Sequence, residues 1–131
     1  MVLTHGCVGT TVRTYGGDKL PKSEVAVIKG FHSTVFLPFV GLSEFGIEIC
    51  YVDDGQLLEA TKVEVLPGWH ELVIRSYESG SGGHSRFYRM SFNAGAGHKY
   101  EIRRRWDSLR KIVNITIVDV NTSATISEQS F

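Results

Sequence analysis

Two histidines raise the question of chemistry first. His70 follows the turn in "VLPGWHELVIRSY" (65–77), and His98 follows the turn in "NAGAGHKY" (93–100). Two imidazoles can begin a zinc site, but a structural site needs four ligands and a catalytic one needs three plus water. The obvious third ligand, Glu71, sits one position along a pattern of period two, so its side chain should point to the opposite face. Each histidine is therefore expected to pack on its own turn and bond to backbone, with no metal and no cofactor. Nucleophiles fare no better. The "SGSGG" stretch (79–83) matches a Gly-x-Ser-x-Gly elbow only in part and lacks the strand-to-helix setting such an elbow needs. It is also no phosphate loop, since neither Lys-Ser/Thr nor a helix follows. Asp53 and Asp54 are paired carboxylates, but they fall in a solvated Asp-Gly turn. None of the geometries that mark an active site is present, and no catalytic residue is expected.

Binding is the better prospect. "RRRW" (103–106), with Arg110 and Lys111 close behind, offers guanidinium forks for phosphate or carboxylate and an indole for stacking. Alternation divides it, sending Arg103 and Arg105 to one face and Arg104 with Trp106 to the other. Trp69, Val73 and Tyr77 share the face opposite Leu72 and Ile74, which makes either an outer contact stripe or a second buried face. The candidate binding surface is thus Trp69, His70, Tyr77, His98, Arg103 and Arg105. Against it stands a plainer pattern of charge. Residues 44–71 carry seven acidic side chains against Lys62 alone, while residues 75–111 carry nine Arg and Lys against Glu78, Glu101 and Asp107. Acidic and basic strands lying side by side would pair across a sheet and need no partner.

The elements that must position these residues share one period. "EVAVIKG" (24–30), "HSTVFLPFV" (32–40), "FGIEICYV" (45–52), "EATKVEVL" (59–66), "HELVIRSY" (70–77), "RFYRMSF" (86–92), "HKYEIRRRW" (98–106) and "IVNITIVDV" (112–120) read as strands, each bounded by turn residues. Pro38 should end its strand early or confine it to an edge. "DDGQ" (53–56) reads as a hairpin turn between neighbouring strands. On that reading "PGWH" and "AGAGH" turn at one end, and "DDG" and "SGSGGHS" at the other. Ile47, Ile49 and Tyr51 should share a face. No stretch carries a helical stripe beyond a short turn near 107–111. The expected fold is all-β: an antiparallel sandwich of seven to eight strands over 24–131, preceded by an extended tether over 1–23.

Composition narrows the partners. The 131 residues suffice for one core, and 14 basic against 14 acidic residues give no net field to attract nucleic acid. No run of about 18 apolar residues, the length a spanning helix needs, occurs. Cys50 lies within a strand and is expected to be a buried free thiol, although pairing with Cys7 stays open on sequence alone. Cys7 differs: in "LTHGC" a glycine precedes a cysteine very near the start. That pattern resembles the end of a bacterial lipoprotein signal, where the cysteine is acylated; the plain alternative is an incidental cysteine.

A wider likeness supports the first option. Tyr15, Gly16, Glu24, Val25 and Ala26, then Leu66, Pro67, Gly68 and His70, then Ala96, Gly97, His98 and Tyr100, and finally Val118 and Asp119 follow one another along the chain. Their order resembles a loose group of small bacterial envelope lipoproteins of uncharacterised function with a PEGA-like β-sandwich. The likeness spans most of the chain, and its motifs are turn motifs. It implies a non-enzymatic periplasmic protein, anchored to the outer membrane by lipidated Cys7. Its partner would be another envelope protein or a wall or surface component, with membrane contact only through the anchor and no nucleic acid. The alternative expectation is a soluble module that binds a ligand or polyanion.

Overall fold

The computed structural model describes residues 11–39, 41–79 and 84–130. Among them are ten strands: β1 (Val12–Arg13), β2 (Ala26–Lys29), β3 (Phe31–Leu37), β4 (Gly41–Val52), β5 (Lys62–Val65), β6 (Gly68–Glu78), β7 (His84–Ala94), β8 (Lys99–Asp107), β9 (Ile112–Asp119) and β10 (Ala124–Ser130). They form two sheets, ordered β1-β5-β2-β8-β9-β10 and β3-β4-β6-β7. Ile28, Val63, Ile102, Ile115 and Ile117 from the first sheet meet Ile47, Ile49, Leu72, Ile74, Met90 and Phe92 from the second. Alternation along each strand puts these side chains inward, and two stacked sheets hide them, so the expected sandwich is what forms.

Several details differ from a simple antiparallel meander. β1 pairs with β5, and β2 with β8, in parallel. β4 does not neighbour β5; it pairs directly with β6, antiparallel. The "DDG" turn does form, with Asp53 and Asp54 at positive φ and the Gly55 amide donating to the Val52 carbonyl. The chain beyond it makes only one bridge back, Ile49 to Ala60, and then crosses to the other sheet as β5. The turn therefore lies at the same end as "PGWH", not opposite it. A bulge between Ile49 and Tyr51 inserts Cys50 and flips the register, so Val52 rather than Tyr51 joins Ile47 and Ile49 in the core. Residues 108–111 form a turn held by Asp107, whose carboxylate accepts from the Leu109 and Arg110 amides. The helical turn lies elsewhere, as a three-residue 3-10 segment at Lys22–Glu24. Beyond the turn at 121–123 the chain forms a further strand, β10.

The described part of the 1–23 segment is extended at β1 but is not a free tether. Tyr15 donates its hydroxyl to the Glu64 carboxylate at 3.2 Å, and the Lys22 ammonium lies 3.6 Å from the same group. Glu64 is only 2% exposed, beside Val27 on the outer face of β5 and β2. The segment thus covers that outer face and supplies a donor and a cation for the one carboxylate buried beneath it.

Strand direction gives the sandwich two distinct ends. The turns after β4, β5, β7 and β9 gather at one end, which holds both histidines. The β3–β4 turn, the close of β6 and the 108–111 turn lie at the other, the hairpin end, while residues 80–83 of the "SGSGGHS" stretch lie outside the described residues. The two sheets meet there in a cleft bordered by the close of β6 and β8 and the start of β7 and β9.

Candidate functional site

At the histidine end each imidazole is bound to an aspartate. His70 Nδ1 lies 2.5 Å from an Asp53 carboxylate oxygen, and its Nε2 lies 2.6 Å from the Leu66 carbonyl. The other Asp53 oxygen accepts from the Glu71 amide at 2.8 Å. His98 Nδ1 meets Asp119 at 2.7 Å, and its ring stacks on Tyr100. Asp119 is buried, which opposes its ionisation. Bonds from His98 and the Asn121 amide outweigh that burial and hold the carboxyl below its ordinary value. These are locks between turns: Asp53 fastens the β4 turn to β6, and Asp119 fastens the start of β8 to the end of β9. Among the described residues, no three His, Cys, Asp or Glu side chains come together as metal ligands. Cys50 is a buried free thiol, pushed up to about 11 by burial and by Glu48, with Arg75 opposing. It stays protonated and is a poor nucleophile.

The remaining expected surface residues are dispersed. Trp69 is exposed at the histidine end, on the outer face of β6. Tyr77 lies on that face near the hairpin end, where its hydroxyl meets His32 Nδ1 at 2.6 Å and its ring takes the Arg75 guanidinium. Burial, with Glu48 and Glu44 nearby, holds its phenol above the ordinary value. Arg103 is paired with Glu101 at 2.9 Å, and Arg105 is exposed on the same outer face of β8. The acidic and basic segments do pair across strands, Glu48 with Arg75 at 2.7 Å and Glu71 with Arg89. Cys7 lies outside the described residues.

The hairpin end concentrates what those pairs leave unused. The β4–β6 ladder stops at Phe45 and Glu78, yet the β3–β4 ladder continues through Val35–Ser43, Phe36–Leu42 and Leu37–Gly41. Three rungs therefore project roughly 10 Å beyond the sheet. Among the described residues, Ser79 reaches across to them, through Ser43 and Glu44. On this projection Phe36 is 72% exposed, Leu42 is 70% exposed, and Phe39 is fully exposed at the tip. Phe39 also has φ of 72°, in a region that bulky side chains rarely occupy. The 108–111 turn adds Leu109, 95% exposed.

Beside the hairpin, the mouth between the sheets is a cleft of about 320 Å³. It is lined by Arg86, Arg104, Lys111, Glu78, Trp106 and Tyr88, mostly at inward positions where the core gives way to polar groups. Arg104 is neutralised by Glu78 at 3.1 Å. No carboxylate among the described side chains pairs with Arg86 or Lys111. Sequence reading placed Arg104 and Trp106 together on one face but missed Phe36, Phe39, Leu42, Leu109 and Arg86. The available signal was "VFLPFV" (35–40), an apolar run without alternation, broken by proline. No protein family, curated protein or solved structure matches the chain.

Proposed function

We propose that this protein is a non-enzymatic interaction module of the bacterial cell envelope, facing the periplasm and held at the outer membrane through acylated Cys7. Its partner is another envelope protein or a wall or surface component, met at the hairpin end. The observation that carries this reading is the projecting apolar hairpin on a sandwich whose histidines, acids and thiol are tied into structural contacts. Large apolar groups exposed together mark a contact surface more often than chance exposure. The amino end of β1 also points toward the hairpin end, because β1 runs parallel to β5. The test is to express the full-length gene with labelled palmitate and fractionate the cells. The expected result is a labelled protein in the membrane fraction, with the label lost in Cys7→Ala. An unlabelled, cytosolic product would overturn the reading.

A second reading, a soluble polyanion-binding module, draws on the cleft with Arg86 and Lys111 rather than on Arg103 and Arg105. Titration with polyphosphate, followed by tryptophan fluorescence, should then give saturable binding that Arg86→Glu abolishes.

A further inference from the structure

We propose that the hairpin end docks on an anionic lipid bilayer: Phe36, Phe39 and Leu42 enter the interface, and Arg86 and Lys111 in the adjoining cleft take headgroup phosphate. This rests on the envelope reading above and names the surface that the module meets.

Shape argues first. The apolar group is a convex knob on two paired strands, not a groove with walls. A convex tip suits a fluid surface that deforms around it. Its strands bond to each other along one edge only, and the outer backbone groups of both still need water or headgroups, which limits the tip to interfacial depth. Charge argues next. Five cations cluster at this end, Arg86, Arg104, Arg105, Arg110 and Lys111, against Glu44, Glu78 and Asp107. Arg104 and Arg110 each have an acidic neighbour, and among the described side chains no carboxylate pairs with Arg86, Arg105 or Lys111, which are placed to take phosphate. An anionic surface is complementary to that excess. Trp106, half-exposed at the cleft mouth, and Leu109 on the next turn place amphipathic and apolar side chains beside the cations. Tryptophan favours the headgroup level for its apolar body and polar N–H. The strained, fully exposed Phe39 also has no packing contact to justify its backbone, which an inserted tip would supply.

The experiment uses the unacylated 131-residue chain carrying Trp69→Phe, which leaves Trp106 as the only fluorescent indole. It is sedimented with vesicles of phosphatidylglycerol or of phosphatidylcholine. Binding to phosphatidylglycerol is expected to be at least about tenfold tighter, with a blue shift of Trp106, because each cation near the surface contributes roughly fivefold. Phe36→Ser, Phe39→Ser and Leu42→Ser combined should weaken binding at least about tenfold, since the tip supplies the buried apolar area. Arg86→Glu with Lys111→Glu should weaken it similarly. Inorganic phosphate should not reproduce the blue shift. Equal binding to both lipids, no binding, or unchanged binding by the serine variant would each overturn the proposal. So would phosphate alone reproducing the signal without vesicle binding. The palmitate test separates the two levels: a labelled envelope protein that ignores vesicles removes lipid docking and leaves the interaction module standing.

Discussion

His98 and Asp119 show how the polar residues of this molecule serve it. The Asp119 carboxylate accepts from His98 Nδ1 and from the Asn121 amide, while the Asn121 side chain accepts from the Lys99 amide. Because the folded carboxyl lies below its ordinary value, the stability it contributes is present above the unfolded value, near 3.9. That contribution is lost as pH falls through the lower folded value. Asp119→Asn is expected to cost about 1–3 kcal/mol at pH 7, the range for disturbing a buried hydrogen-bonded group. It should also flatten the loss of stability below about pH 4. Urea unfolding across that range checks both, and superimposable acid limbs would mean another group titrates. The sequence exposed the histidines but not their partners. Asp53 is 17 positions from His70, and Asp119 is 21 from His98. Alternation within one strand carries no information about a residue on another turn. From sequence each histidine is expected to pack on its own turn and bond backbone; His70 does bond the Leu66 carbonyl, but both imidazoles also hold an aspartate from another turn.

At the scale of elements, the strands legible in the sequence are those with one buried face. β6 and β8 alternate cleanly, and Leu72, Ile74, Tyr100 and Ile102 go inward as their spacing requires. β10 was not legible, because its described side chains bury little. It is recruited by backbone pairing with β9, and Gln129 reaches across to the Arg89 carbonyl. Nor could local pattern show that the chain after "DDG" changes sheets, since a turn's type fixes its shape and not the sheet that receives the next strand. An earlier crossing, from β2 to β3, depends on Gly30. A Cβ there would lie 2.1 Å from the Ile47 carbonyl oxygen, and the Gly30 amide bonds the Thr61 carbonyl at 2.8 Å. Neither backbone can withdraw without breaking a ladder. Gly30→Ala is thus expected to destabilise the fold by about 3 kcal/mol, at the upper end for overpacking. Denaturant unfolding measures it, and a near-neutral result would show that β2 and β3 can move apart.

The whole molecule is polar in arrangement though neutral in sum. Its histidine end is closed by carboxylate locks, and the outer face of the four-stranded sheet is neutralised by Glu48–Arg75 and Glu71–Arg89. Trp69 and Leu66 are exposed near the histidine end, but the hairpin end gathers Phe36, Phe39, Leu42 and Leu109 beside Arg86 and Lys111, which strand patterning could not foresee because it depends on β6 stopping short of the β3–β4 ladder. If the exposed tip serves contact and not folding, stability and surface properties must separate on mutation. Serine at 36, 39 and 42 removes side chains that touch little, so unfolding free energy should change by no more than about 0.5 kcal/mol per site. By contrast, Phe92→Ala in the core should cost about 3–5 kcal/mol. The native parent should bind an environment-sensitive apolar dye, and the serine variant should lose most of that signal. If the serine variant instead unfolds as readily as the core variant, the hairpin is part of the folding unit. The exposed phenylalanines would then owe their presence to stability, and the division between a closed end and a contact end would fail.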